Sequence, residues 1–241
     1  MKMKILITSG GTKVPIDKVR DITNMSHGTF GSRIASVALE EGHEVCFLCA
    51  KGSRTPFRND FDFYNNSKAI NKAMEYFLFC EEYCEQYSET EFRNYDDYEK
   101  LLRLHLDWKP DVVILAAAVS DYGVANYVDG KIRTQDNLQI NLEPLPKIIA
   151  TVKERLPDCF LVGFKLLVYA SETELIEEAN KSIMNNRCDL VVANDLASLQ
   201  ADNHRLFLVR PDQVPVRFCK NDALEDPYYL ARKVIEAATE R

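Results

Sequence analysis

The chain has 241 residues, 46% apolar and 28% charged, which is the balance of an ordinary soluble protein with enough chain to bury a core. Thirty basic against 37 acidic residues leave a net charge of −7. That argues against a general nucleic-acid or membrane-surface binder, but it allows a local basic pocket for a small anion. No apolar run approaches the length of a membrane span, and the N-terminus leads directly into a strand without a secretory segment, so a cytoplasmic protein is expected.

A strand is predicted at 4–8, where Ile5, Leu6 and Ile7 run into the polar loop Ser9, Gly10, Gly11, Thr12. The two glycines let this backbone approach a bound group. The turn from Gly28 to Gly31 opens a helix whose free N–H groups favour an anion. Ile34, Val37 and Ala38 give that helix its apolar stripe, and Gly42 stops it. A second strand is predicted at 44–49. Residues 51–108 are acidic and aromatic, and the weak periodicity from Asn59 to Asp107 reads as mixed helix. A third strand at 112–116 follows Pro110 and Asp111. Residues 118–146 hold Gly123, Gly130, Pro144 and Pro146 without a helical pattern. An excursion of that length is functional or folds on itself, and 131–134 with 138–142 would form its hairpin. Strands at 160–164 and 190–193 flank a helix with the capping-box pair Ser171 and Glu174 and the stripe Leu175, Ile176, Ala179, Ile183. Residues 205–218 read as two late antiparallel strands. Asp226 and Pro227 open a last helix with Leu230, Val234 and Ala237 on its buried side. This alternation predicts an α/β fold: a Rossmann-like, mostly parallel sheet with helices on both faces, in one domain with the 118–146 excursion attached. Ligands of such folds collect at the carboxyl ends of the strands.

The seven cysteines form an odd set. Cys46/Cys49 and Cys80/Cys84 have spacings seen in metal sites. Cys46 and Cys49, however, share a predicted strand and would face opposite ways, so no metal site is expected and the thiols read as reduced.

Polar clusters fall at predicted strand or loop ends. In the first loop, Arg20 offers a charged fork for phosphate or carboxylate, Asn24 both a donor and an acceptor, and Ser26 and Gly28 follow. Ala116, Ala117 and Ala118 leave room for a flat group beside Ser120 and Asp121. Lys131 lies on an extended loop that can fold over a phosphate. Phe164 can stack on a base and Lys165 can reach a phosphate, while Asn194 and Asp195 end another strand. Each cluster alone also fits a plain structural part: a surface loop with an incidental arginine, a capped turn, a solvated lysine. Their convergence on one rim of a parallel sheet is the stronger signal. Of the four histidines, only His27 lies in a motif loop. The phosphate-loop and dinucleotide fingerprints are absent. Tyr127 and Lys131 have the Y-x-x-x-K spacing of NADP-dependent short-chain reductases, although Ser120 stands only seven residues before the tyrosine. That reductase reading, and a non-catalytic nucleotide-binding module, are the alternatives.

The ordered motifs ILITSGGT…PID.VR.ITN.S.G..G, AAAVSDY, KI, Pro-Lys-Ile-Ile, GFK and DLVVAND resemble the phosphopantothenate–cysteine ligase family over most of the chain. The resemblance is to the free-standing form without a decarboxylase domain. It implies a ligase of coenzyme A biosynthesis acting on 4′-phosphopantothenate, L-cysteine and a nucleoside triphosphate with Mg2+, with CTP favoured over ATP, in a homodimer completed by the 118–146 flap. Neither nucleic acid nor a membrane is an expected partner. By the same resemblance Asn24 is the main catalytic residue, Arg20 assists it, and Lys131 is the flap lysine that steadies the α-phosphate. Gly10, Gly11, Thr12, Asp121, Pro146, Lys147, Ile148, Ile149, Phe164, Lys165, Lys181 and Asn194 would bind the nucleotide. Asn24, Ser26, Gly28, Ala117 and Ala118 would bind the acyl substrate. Met25 and His27 stand where family members carry serines, and Asn186 stands where a second lysine is common. Lys165 in GFK matches the eukaryotic branch, which favours ATP.

Overall fold

The computed structural model describes residues 1–56, 78, 81–134, 138–200, 204–223 and 226–240. The run KILITS is apolar on both faces because β1 (Lys4–Ser9) lies inside an eight-stranded sheet, between the parallel strands β4 (Glu44–Ala50) and β6 (Val112–Leu115). β5 (Tyr87–Phe92) continues the sheet in parallel beyond β4. On the other side, β9 (Phe160–Leu167) and β10 (Leu190–Asp195) follow β6 in parallel. The antiparallel strands β11 (Arg205–Val209) and β12 (Val216–Cys219) close that edge.

Successive side chains of these strands divide into two cores. One face packs Ile5, Ile7, Ile114, Val162 and Val192 against α1 (Thr29–Glu40) and α5 (Tyr229–Thr239). The other packs Leu6, Val113, Leu115, Leu161 and Val191 against α2 (Tyr95–Leu106), α3 (Ile149–Arg155) and α4 (Glu172–Asn186). Cys46 and Cys49 fall in opposite cores, as their odd separation on a strand requires. α4 carries the expected capping box, with the Ser171 hydroxyl accepting from the Glu174 amide and the Glu174 carboxylate accepting from the Ser171 amide.

The chain turns outward from β1 to β4 and β5, then returns across to β6 and builds the opposite half. The winding direction therefore reverses between β1 and β6, and the crevice at their carboxyl ends is the natural ligand position.

Several expectations need correction. The 51–108 stretch is not mixed helix throughout. Its first part, 57–77 with 79 and 80, lies outside the described residues, and so does Cys80. The remainder contains β5 as well as α2. β5 eluded the periodicity because it is an edge strand that buries little besides Phe92. The 118–146 hairpin pairs β7 (Tyr122–Val124) with β8 (Leu142–Pro144), not 131–134 with 138–142. The backbone around Lys131 is taken instead by a second small hairpin, β2 (Lys13–Pro15) with β3 (Asp21–Thr23), within what the sequence suggested was loop. β9 and β10 also run further than expected, so Lys165, Asn194 and Asp195 lie inside strands.

The first turn of α1 lies directly on the end of β1. A Cβ on Gly31 would sit 2.8 Å from the Ser9 Cβ, an atom that no rotamer change can move. Gly31→Ala should therefore destabilise the fold: overpacking of about 1–3 kcal/mol outweighs the roughly 1 kcal/mol that alanine gains inside a helix. Urea unfolding measures the difference, and an unchanged or higher midpoint would show that helix and strand separate freely.

Candidate functional site

The β1–β6 pairing continues past both strands into their loops. The Ala116 amide donates to the Thr8 carbonyl at 3.1 Å, Ala118 to Gly10 at 2.7 Å and Thr12 to Ala118 at 3.2 Å. Buried hydroxyls lock the same two loops: Thr12 Oγ1 accepts from the Ser120 amide at 2.8 Å and lies 2.9 Å from Ser120 Oγ. Gly10 sits at φ +84°, and a Cβ there would meet Ala50 at 2.6 Å, so only glycine fits. α1 begins beside it with Gly28 as N-cap, no capping side chain and no acid in its first turn, so no side chain caps that end of the helix.

Asn24 reaches across this junction. Its side-chain amide donates to the Ala118 carbonyl at 2.9 Å, which places it against the Ala117–Ala118 backbone. The Ser26 amide donates to the Asn24 carbonyl at 2.8 Å and fixes the turn that follows.

The flap is held by a buried carboxylate. Asp17 is 2% exposed and accepts from the amides of Val19, Arg20 and Ile132 at 2.9–3.0 Å. The Arg20 guanidinium donates to Asp17 at 2.6 Å and to the Ile132 carbonyl at 2.7 Å. Burial alone would raise the Asp17 pKa, but these donors outweigh it and hold the carboxyl far below the usual range. The Lys18 amide also donates to the Gly130 carbonyl at 2.9 Å. Lys131 is thus pinned by backbone on both sides, while its exposed ammonium has no ion-pair partner among the described residues.

Further along the rim the expected nucleotide residues separate onto the two faces of the sheet. Lys165 and Lys181 share Glu178 of α4, at 3.2 and 2.7 Å. Phe164 turns to the opposite face, edge-on to Phe30 of α1 with centroids 6.0 Å apart. Phe30 in turn lies edge-on to His204 at 5.4 Å, and Asn194 Nδ2 is 3.3 Å from His204 Nε2. Burial first, then the nearby Arg33 and Lys220 cations, push the His204 pKa down to about 4. Asp121 and Lys147 form an exposed ion pair. The Tyr95 hydroxyl, from the first turn of α2, holds the Pro146 carbonyl at 2.6 Å, and Ile148 is buried.

The fold therefore brings Gly10, Gly11, Asn24, Ser26, Gly28, Ala117 and Ala118 together at the switch point, with Lys131 on the adjoining flap and Phe164, Lys165 and Asn194 along the same edge. Two side chains serve the scaffold rather than the crevice. Thr12 is fully buried with its hydroxyl committed to Ser120, and the Arg20 guanidinium is committed to Asp17 and Ile132. Ser120 is in turn buried against Thr12 while Tyr127 is exposed on the flap, and no hydrogen bond joins Ser120, Tyr127 and Lys131 among the described residues, so a reductase triad is not assembled. Asp17 and His204 escaped the sequence reading as site-building residues, and Ser120, read there only as part of the turn after the alanines, proves to be the buried partner of Thr12. The Asp17–Arg20 spacing was the only local signal for the flap clasp. The described residues contain no group of three or more His, Cys, Asp or Glu side chains suited to a metal ion. No helix among them is long and apolar enough to cross a membrane.

Residues 1–74 and 99–237 match the family model described as DNA/pantothenate metabolism flavoprotein C-terminal domain. The chain is 37% identical over 209 residues to the coenzyme A biosynthesis bifunctional protein CoaBC of Thermococcus kodakarensis, covering 87% of this chain and 45% of that protein. It thus spans about half the length of that relative. It is 28% identical to the phosphopantothenate–cysteine ligase of Homo sapiens, covering 96% of this chain and 84% of that one. Among solved structures, the DNA/pantothenate metabolism flavoprotein from Streptococcus pneumoniae superposes with a TM-score of 0.75 at 31% identity, covering 98% of this chain and 99% of that one. A Cab2 mutant in complex with phosphopantothenate-cysteine superposes with a TM-score of 0.74 at 26% identity, covering 99% and 88%.

Asp17→Asn removes the charge that gathers Arg20 and Ile132. The expected result is hydrogen exchange at the Ile132 amide about tenfold faster or more, with the β1 amides unchanged. Because the folded-state pKa lies below the unfolded one, the clasp's contribution is complete above the ordinary carboxylate range and is lost only as pH falls through the folded value. Wild-type protection of Ile132 should therefore persist at pH 4, and its loss there would contradict the clasp.

Proposed function

The chain belongs to the DNA/pantothenate metabolism flavoprotein C-terminal domain family, and from that membership we propose that it is a phosphopantothenate–cysteine ligase of coenzyme A biosynthesis. The name of the human relative and the phosphopantothenate-cysteine in complex with the Cab2 mutant support the assignment. The observation that carries it is the Asn24 clamp on the Ala118 carbonyl, at the point where the glycine loop, the uncapped end of α1 and the small-residue turn after β6 meet.

In the first half-reaction a carboxylate oxygen of 4′-phosphopantothenate attacks the α-phosphorus of CTP, or ATP, and the bond to the bridging oxygen of pyrophosphate breaks. In the second, the cysteine amine attacks the acyl carbonyl and loses a proton, the C–O bond to the nucleotide breaks, and CMP or AMP leaves with the amide formed. A carboxylate is a poor electrophile until its oxygen becomes part of a good leaving group, so the protein's task is positioning and charge neutralisation. The backbone at Gly10 and Gly11 and the first amides of α1 receive phosphate oxygens. Asn24 keeps one amide hydrogen on Ala118, and its remaining hydrogen and its oxygen hold the acyl group. Lys131, on a backbone fixed by Asp17 and Lys18, places its ammonium over the α-phosphate. Arg20 acts through Asp17 and Ile132 as a positioning residue. Mg2+ bound to the triphosphate would neutralise phosphate charge; without a carboxylate cluster among the described residues, it would be held chiefly by phosphate oxygens and water.

The enzyme is proposed to act in the cytoplasm as a homodimer. The first loop and the flap both carry exposed apolar side chains, among them Val19, Met25, Tyr122, Tyr127 and Leu142. Apolar surface of this kind is what a second copy would cover. Sedimentation at micromolar concentration should give the dimer mass, and a monomer there would remove the dimer from the proposal.

Incubation with 4′-phosphopantothenate, cysteine and each triphosphate should release pyrophosphate and, only when cysteine is present, the monophosphate. Asn24→Asp should fold normally and lose about 100-fold or more in amide formation, since a carboxylate cannot donate to Ala118 and repels the acyl phosphate. Lys131→Gln should slow the pyrophosphate burst by about 10-fold or more with little change in the second half-reaction. Full activity of either variant would strip that residue of its role.

A further inference from the structure

We propose that His204 is a positioning residue that decides which nucleobase the site accepts. It does so by holding the Asn194 amide with its carbonyl oxygen, not its NH2, left for the base. The inference rests on the nucleotide-dependent ligase reading. It begins with a pair of nitrogens: Asn194 Nδ2 lies 3.3 Å from His204 Nε2. Two nitrogens attract at that distance only if one donates and the other offers a lone pair. An amide nitrogen always donates, so with the amide in this orientation His204 Nε2 is the acceptor and the neutral ring carries its proton on Nδ1. Burial and the neighbouring Arg33 and Lys220 charges favour the neutral ring that this bond requires. Asn194 is 8% exposed, and its Oδ1 makes no hydrogen bond among the described residues.

The surroundings suit a flat ring. Phe164, Phe30 and His204 stand edge to face in sequence, with interplanar angles of 76° and 72°, and form an aromatic wall that His204 joins to the Asn194 amide. β10 lies three strands from β1, about 14 Å at ~4.8 Å per strand, which is the reach needed between a phosphate at the glycine loop and a base at Asn194. An acceptor oxygen there pairs with an exocyclic amine, which cytosine and adenine both carry. Uracil and guanine present a carbonyl oxygen at that position, and it would be left facing another acceptor. The reverse amide orientation would select the opposite pair of bases.

The test measures kcat/KM for pyrophosphate release with CTP, ATP, UTP and GTP. The wild type should favour CTP or ATP over UTP and GTP by about 100-fold or more. His204→Ala should reduce that ratio to about tenfold or less, mainly through KM for the favoured nucleotide. His204→Gln, whose side-chain oxygen can accept from the Asn194 amide, should recover most of it. The 15N resonances of the His204 ring in the free protein give a second reading, independent of turnover and of whether His204→Ala folds: Nε2 should be unprotonated at neutral pH. A protonated Nε2, a preference for UTP or GTP, or unaltered discrimination in His204→Ala would overturn the role of His204 while leaving the ligase intact. Failure of the wild type with every triphosphate would instead overturn the ligase reading on which the inference stands.

Discussion

The site depends on hydrogen bonding that does not stop where β1 and β6 stop. Beyond a strand end the backbone normally turns to solvent or a helix. Here Gly10, Thr12, Ala116 and Ala118 go on exchanging amide and carbonyl bonds, and the Thr12 and Ser120 hydroxyls seal the seam from inside. Two loops separated by more than a hundred residues are thereby fused into one surface. The reversal of winding direction between β1 and β6 opens a crevice above that seam, and every other part of the candidate site is placed relative to it.

The same junction explains how a mobile-looking excursion can present a cation accurately. An exposed lysine on a long loop would spend its binding energy on ordering the loop. The Asp17 carboxylate removes much of that cost by gathering the Arg20 guanidinium and the Ile132 amide before any ligand arrives. The Lys131 ammonium has no ion-pair partner among the described residues, whereas Arg20, equally cationic, is bound to Asp17 and Ile132. Net charge says nothing of this difference; hydrogen-bond geometry does.

The fold was largely legible because most of it rests on local periodicity. Doubly buried strands read as apolar runs, α1, α4 and α5 as stripes, and the Ser171–Glu174 box as a helix start. What failed were elements with little apolar content: β5 on an acidic edge, and the short hairpins β2–β3 and β7–β8, whose three-residue strands are too short to show a period. That Gly10, Asn24 and Ala118 could line one crevice was legible from their residue types and their places at predicted strand and loop ends, and the fold brings them together there. The commitments of Thr12 and Arg20 were not, since each depends on where another loop lies.

By itself the amino-acid order determined an α/β sheet, its helices and the chemical types gathered at its strand ends, because periodicity and turn chemistry act between near neighbours. Only the tertiary structure decided which of those polar groups remain available. Whether Arg20 meets a carboxylate, Thr12 a serine or Asn194 a histidine is set by contacts between segments far apart in the chain, and a hydrogen-bonding group already satisfied inside the protein is no longer free for a ligand.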